Sequence, residues 1–241
     1  MAVTKGGRNI CGLSVGVLSL ESYFPKPPGH IKNPSSLPFT TCYEVLHGIT
    51  VPELLNNPSD AMIDRLCEGA RNLERQGVRA ITGSCGFLAL FQRQIAEAVS
   101  VPVFLSSLIQ LPLVHQMTRA SVGVLTASAP ALTDRHLAGV GAQDVPIVVQ
   151  GLQDCEEFSA VILRNERDDM DLDKVRAELH AATRALLSRE PRIGALVLEC
   201  TDLPPYAHGL QQEFGLPIFD LITLASMVES AVRQQAYPGF C

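Results

Sequence analysis

Ala80-Ile81-Thr82-Gly83-Ser84-Cys85 and Ala195-Leu196-Val197-Leu198-Glu199-Cys200 are two short, mostly apolar runs that each end on a cysteine. Runs of this length, followed by small or polar residues, read as buried strands. The segments after them match too. A helical pattern follows each cysteine, and then an X-Pro strand. Pro102 lies 17 residues after Cys85 and Pro217 lies 17 residues after Cys200, with Phe104 and Phe219 each two residues further on. Upstream, Gly16-Val17-Leu18-Ser19 resembles Gly123-Val124-Leu125-Thr126. The chain therefore reads as an internal repeat of two similar α/β lobes.

Outward from these runs, short apolar segments alternate with longer helical patterns, which predicts an α/β fold with parallel strands. Strands are expected at Ile10–Ser19, Val78–Ser84, Val101–Leu105, Val122–Thr126, Val145–Val149, Ile193–Glu199 and Pro217–Phe219. Helices are expected at Pro52–Gln76, Leu88–Val99, Ala129–Leu137, Leu172–Arg189, Pro205–Phe214 and Leu224–Gln235. Pro25–Pro38 is rich in proline and glycine and reads as an irregular loop. The lobe boundary is placed near Met117–Ala120. Residues 1–118 plus 222–241 form the first lobe and 119–221 the second, with the final helix crossing back.

Composition narrows the function. The 241 residues are 46% hydrophobic and 18% charged, as expected of a globular chain. A net charge of −6 does not favour nucleic acid or an anionic membrane. No apolar run reaches 18 residues, so no membrane span is expected. Ile10–Leu20 follows Lys5 and Arg8 like a short signal peptide, but Gly12 and Gly16 and the lack of a cleavage pattern favour a strand. Seven cysteines without a CxxC suggest neither a disulfide framework nor a zinc site, so reduced thiols in a cytoplasmic protein are expected. Cys241, as the last residue, is no prenylation signal. The expected partner is one small carboxylate substrate, with no nucleic acid and no membrane, and with self-association into a homo-oligomer allowed.

Cys85 and Cys200 are the candidate catalytic pair. Ligands of open α/β sheets bind at the carboxyl ends of strands, and a pseudo-twofold arrangement brings one cysteine from each lobe to a shared cleft. A thiol, with a reference pKa of about 8.5, can give or take a proton near neutrality. Two thiols on opposite faces of a carbon next to a carboxylate would invert it. Helix N-termini just after the cysteines are expected to favour the thiolate and to offer N–H groups to that carboxylate. Ser84, Gly86, Thr126, Ala127, Ser128 and Thr201 are the strand-end residues expected to grip it. Thr201 and Asp202 also read as caps of the helix near Pro204. Cys11, Cys42, Cys67 and Cys155 read as small core residues. His115, His136 and His180 read as surface or packing residues, His208 as a weaker candidate on the following helix, and Glu166–Asp171 as a solvated stretch. The lysines Lys5, Lys26, Lys32 and Lys174 avoid strand ends, which disfavours pyridoxal phosphate, and no GxGxxG or P-loop pattern is present. No cofactor and no metal are expected.

Thr82-Gly83-Ser84-Cys85-Gly86-Phe87, Val122-Gly123-Val124-Leu125-Thr126-Ala127-Ser128 and Leu198-Glu199-Cys200-Thr201-Asp202-Leu203-Pro204 resemble the aspartate/glutamate racemase superfamily over nearly the whole chain. The resemblance implies two flavodoxin-like lobes and a cofactor-independent racemase or epimerase using Cys85 and Cys200 on an amino acid, a hydantoin or a related small acid. Maleate-type cis–trans isomerisation and arylmalonate-type decarboxylation are the alternatives within the superfamily, and a small-carboxylate binding protein is the alternative outside enzymes. Two departures bear on substrate. Gly86-Phe87 replaces the common Asn-Thr after the first cysteine, and Pro27–Pro34 replaces the usual amino-terminal polar loop. Phe87 suits a less polar substrate than free glutamate. Asn33 is expected to replace a lost polar partner, and Lys32 and Asn33 are the candidates for holding a second carboxylate.

Overall fold

β1 (Val15–Leu20) has all six residues buried, because strands on both sides and helices on both faces cover it. In the computed structural model, which describes residues 6–239, β1 pairs in parallel with β2 (Thr41–Leu46) and with β3 (Ala80–Gly83). β4 (Val103–Phe104) completes a sheet of order β2-β1-β3-β4. The second sheet repeats the plan. β5 (Ser121–Thr126), β6 (Ile147–Gly151), β7 (Ile193–Leu198) and β8 (Ile218–Phe219) are ordered β6-β5-β7-β8, again all parallel. This contains the repeat read from the two cysteine runs, with β2 and β6 added at matching edges. Lys5 and Cys241 lie outside the described residues.

The repeated glycine has a physical role in each half. A Cβ on Gly16 would stand 3.0 Å from Leu73, and one on Gly123 would stand 2.8 Å from Leu196 and 3.1 Å from Leu186. Leu73 belongs to the long helix of the first half, α2 (Asp60–Gln76), and Leu186 to its counterpart α7 (Leu172–Arg189). Each helix thus seats a fully buried leucine over its sheet's central strand. Their ends are set locally. Ser59 accepts from the Met62 N–H, and Gly77 closes α2 in the left-handed region at φ 99°. Asp171, at the end of the acidic stretch, accepts from the N–H groups of Asp173 and Lys174.

Several elements differ from the sequence reading. The helix expected at Pro52–Gln76 is two helices, α1 (Val51–Asn56) and α2, because Pro58 interrupts the hydrogen-bond ladder and Ser59 caps a new start. β2 was not expected: it is an edge strand, half-exposed and without a clean alternation. The strand expected from Ile10 begins only at Val15, since Gly12 at φ 92° breaks the extended run, and Cys11 is exposed rather than part of the core. After Cys85 comes a 3-10 turn, Gly86–Phe91, before α3 (Gln92–Ala98). α4 (Leu111–Thr118), also unexpected, leads into β5. α5 (Asp134–Gly139) starts late because Thr133 and His136 form a capping box there. α6 (Glu156–Phe158) runs into one wide turn, Ser159–Leu163. A short turn at Pro204–Tyr206 precedes α8 (Ala207–Phe214). The last helix, α9 (Leu221–Val232), packs Leu221, Leu224 and Ala225 on Val15, Val17, Ala80 and Phe104 of the first sheet. Among the described residues no helix is long and apolar enough to cross a membrane.

Leu73→Ala and Leu186→Ala remove equivalent buried side chains from the two halves. Each is expected to cost about 2–5 kcal/mol of unfolding free energy, measured by urea denaturation. A loss under about 1 kcal/mol in either would contradict equivalent seats.

Candidate active site

Cys85 leaves the carboxyl end of β3, and Cys200 stands two residues past the end of β7. Both line one narrow cavity together with Ser84, Gly86, Phe87, Ala127, Glu199, Thr201 and Asp202, and Val51 and Ile162 close it on the apolar side. Its free volume of about 10 Å³ is room for about one water molecule. A substrate of several heavy atoms therefore enters only when these walls separate.

The two cysteine loops are held by matching bonds. The Ser84 N–H donates to Leu18 O at 3.0 Å, and the Glu199 N–H donates to Leu125 O at 2.8 Å. Ser84 Oγ accepts from the Leu20 N–H at 2.9 Å, and the Glu199 carboxylate takes the corresponding N–H of Ala127. A third bond ties one loop to the other: Thr201 Oγ1 donates to Ser84 O at 2.7 Å. Thr126 Oγ1 donates to Glu199 Oε2, also at 2.7 Å. The Thr126 and Thr201 hydroxyls expected to cradle a substrate carboxylate are thus engaged in holding the loops, while Ser84 keeps its own O–H free. Ser128 is only half-buried and does not line the cavity, and its carbonyl accepts from Leu132.

Gly86 is where the loops approach most closely. A Cβ there would lie 2.2 Å from both the Glu199 carbonyl oxygen and Glu199 Oε1. Only glycine lets the first cysteine's loop pass the second cysteine's strand at this distance.

Burial governs the charges. It pushes the Cys85 thiol up, aided by Glu199 and opposed by the Phe87 N–H. It raises the Cys200 thiol well above its ordinary value, with Asp202 and Glu199 adding to the effect. The expected lowering by helix N-termini does not prevail, because Cys85 opens a 3-10 turn and α8 begins only after Tyr206. Glu199 is pushed up to about 7 by burial, against the bonds from Thr126 and Ala127. Burial also raises Asp202, but His30, Cys200 and Lys26 together hold it below the usual carboxylate range.

Asp202 is not a helix cap. Its Oδ1 pairs with His30 Nε2 at 2.8 Å, and its Oδ2 accepts from Cys200 Sγ at 3.3 Å. The Lys32 N–H donates to His30 Nδ1 at 2.8 Å, so Nδ1 carries no proton and Nε2 is the donor to Asp202. His30 reaches this position because Gly29, at φ 103°, lies against Pro205, where a Cβ would be 2.7 Å from Pro205 Cα. The proline-rich loop thereby carries the outermost member of a Cys200–Asp202–His30 chain. Sequence reasoning missed both His30 and Glu199. For Glu199 a signal existed, since the repeat sets it opposite Ser84; for His30, alone in an irregular loop, there was none.

Other expected residues lie elsewhere. Asn33 accepts from the Ser35 N–H and donates to Lys26 O, which makes it a turn-forming residue of the loop. Lys32 Nζ donates to Leu20 O and Ser22 Oγ. His208 is exposed. His136 is buried edge-on against Phe87, with ring centroids 5.4 Å apart.

The family profile for Asp/Glu/Hydantoin racemase matches residues 36–227. The chain belongs to this family. It is 30% identical over 235 residues to the dimethylsulfoniopropionate lyase of Durusdinium sp. clade D, a match covering 90% of this chain and 74% of that protein. It is 33% identical to dimethylsulfoniopropionate lyase 6 of Emiliania huxleyi (strain CCMP1516), with 90% of this chain and 60% of that protein covered. The chain therefore spans only part of the length of these relatives. Among solved structures, arylmalonate decarboxylase superimposes with a TM-score of 0.59 at 13% identity, covering 94% of this chain and 96% of that chain. Glutamate racemase from Francisella tularensis, in complex with D-glutamate, superimposes with a TM-score of 0.56 at 19% identity, covering 92% and 81%. At these identities the two structures attest the fold alone.

A carboxyl whose folded value lies near 7 binds a proton that the unfolded chain has already released between about pH 4.5 and 7. The Glu199 contribution to stability is thus present below pH 4.5 and lost as pH rises to about 7, a change on the order of 3 kcal/mol. Urea unfolding across this range should show it, and Glu199→Gln should flatten it. An unchanged slope in that variant would contradict a neutral buried Glu199.

Proposed function

We propose that this chain is a lyase that eliminates a neutral thioether from a small sulfonium carboxylate of the dimethylsulfoniopropionate kind. The observation that carries the reading is the charge of the cavity lining. Asp202 and Glu199 are its acidic members, and among the described residues no lysine or arginine side chain lines it. A second substrate carboxylate would want a cationic partner, which this lining does not offer. A sulfonium cation is attracted by the Asp202 carboxylate and by the face of an aromatic ring such as Phe87. The relatives named as lyases cover 90% of the chain at 30% and 33% identity, which supports the same reading.

The chemistry keeps the Cα deprotonation expected from the cysteine pair and changes only the step after it. One base takes a Cα proton from the propionate chain. The C–H electron pair becomes the Cα=Cβ bond, and the Cβ–S pair departs with sulfur as dimethyl sulfide, leaving acrylate. The carbon attacked bears two hydrogens, so no stereocentre is inverted and a single base suffices.

Cys200 is the better placed base. Its thiol proton already points at Asp202, and Asp202 is oriented by His30, the arrangement of an activated nucleophile with an oriented partner. Substrate cation binding lowers the cost of thiolate formation that burial imposes. The proton passes from Cys200 to Asp202 as the thiolate forms, the Cα proton restores the thiol, and Asp202, held below the usual carboxylate range, releases the extra proton to water once dimethyl sulfide and acrylate have left.

Purified protein incubated with dimethylsulfoniopropionate is expected to release dimethyl sulfide and acrylate in equal amounts, followed by gas chromatography. Cys200→Ser and Asp202→Asn should each lower kcat by about 10²–10⁴, and Cys85→Ser by less. Racemisation of a chiral 2-substituted acid without thioether release, lost equally in both cysteine variants, would replace this reading with the two-base one.

A further inference from the structure

Glu199 is the one buried carboxyl in the cavity that this elimination leaves without a task. Its side chain is fully buried and has one engaged oxygen: Oε2 accepts from Thr126 Oγ1, and the Ala127 N–H also donates to the carboxyl. Oε1 is buried and has no hydrogen-bond partner. It lies at the seam against Gly86, among the residues that line the cavity with both cysteines.

The repeat makes the asymmetry plain. Ser84 occupies the equivalent position before Cys85, and its single oxygen accepts from the Leu20 N–H. Glu199 uses the same kind of anchor at Ala127 and still has a second oxygen to spare. A buried polar atom without a partner costs on the order of 1–3 kcal/mol. Such a cost is retained where a ligand supplies the partner.

We propose that Glu199, as a neutral carboxylic acid, donates from Oε1 to the carboxylate of the bound substrate and holds the enediolate that forms as the Cα proton leaves. This rests on the Cα-deprotonation reading of the site. With Thr126 donating to Oε2 and Oε1 without a partner, the acid proton belongs on Oε1. Of the other strand-end hydroxyls, those of Thr126 and Thr201 donate to the protein, while Ser84 only accepts from Leu20 and keeps an O–H that can join Glu199 in holding the carboxylate. A preformed donor aimed where charge develops is worth most in a dry site, and a carboxylic acid held neutral in apolar surroundings can serve as one.

The groups facing Glu199 agree with this state. Asp202, from its own loop, disfavours a further negative charge there, while the Cys200 and Cys85 thiols beside it are held in their neutral form. Lys32 acts on Cys85 and Asp202, and its ammonium is committed to Leu20 O and Ser22 Oγ. From β5 come the neutral donors Thr126 and Ala127. With burial, they leave Glu199 titrating at about 7, so activity that needs the acid form falls as pH rises through that value.

Two variants and two readouts test the assignment. Glu199→Gln keeps a donor without a titration. It should retain activity within about tenfold and lose the alkaline fall of kcat/KM near pH 7. Glu199→Met fills similar space without a donor and should lower kcat about 10²–10³-fold with a smaller change in KM. Propionate binding, measured calorimetrically, supplies a readout that needs no elimination: Glu199→Met should weaken it at least tenfold and Glu199→Gln should not. The proposal is overturned if Glu199→Met matches the parent in both readouts. It is equally overturned if Glu199→Gln fails as badly as Glu199→Met while the parent's activity climbs through pH 7, since the carboxylate would then be the working form. If propionate binding shows the expected pattern and no dimethyl sulfide is released, the lyase reading fails and the Glu199 assignment stands.

Discussion

Two cysteine-bearing loops, one from each sheet, pass each other at Gly86 with no space for a Cβ, and this contact sets the character of the site. It buries Glu199 against the loop of Cys85 and draws Thr201 onto the Ser84 carbonyl. The side chains are buried with little room for water, so each ionisable group takes the state that its nearest partners allow. The thiols stay protonated, Glu199 sits near its midpoint at neutral pH, and Asp202, joined to His30, remains ionised. Had the loops met across open solvent, the same residues would carry ordinary charges and the site would lack direction.

That contact also explains how one fold supports different chemistry. Two parallel sheets with a cysteine at matching strand ends bring two thiols to one cavity and specify nothing further. The character of this site turns on the residues near each thiol. Asp202 stands two positions after Cys200 and is served by a histidine from the proline-rich loop. Glu199 precedes Cys200 where the other half has a serine. Fold alone does not assign function. Here the reading turns on a lining with acidic groups and no cationic side chain among the described residues, which favours a substrate that carries its own positive charge.

Much of this was legible in the sequence, and the unread part has a physical cause. The repeat, seven of the eight strands and both cysteines emerge from apolar runs and equal spacings, because equivalent strands face equivalent burial. Long helices with caps, such as Leu172–Arg189, are set by local interactions and read to the residue. β2 was missed because an edge strand is half-exposed and its pattern is blurred. The split between α1 and α2 turned on Pro58 and Ser59 within an otherwise continuous helical pattern. The part that Thr126 and Thr201 play in holding the loops went unread for a deeper reason: a hydroxyl at a strand end can serve ligand or backbone, and only the three-dimensional path of the chain decides. His30 meets Asp202 from 172 positions away through Gly29 lying on Pro205, a contact with no local signature.

The central claim is that a single base removes a Cα proton and that the bond broken next is to the β substituent. Substrate labelled with deuterium at only one of the two Cα positions, prepared in each configuration, tests this directly. Mass spectrometry of the acrylate formed should show the label lost completely from one configuration and kept completely in the other, since one base reaches one face. Partial loss from both, or washout into unreacted substrate at equal rates from both configurations, would mean that both thiols exchange protons with the carbon and would contradict the single-base account.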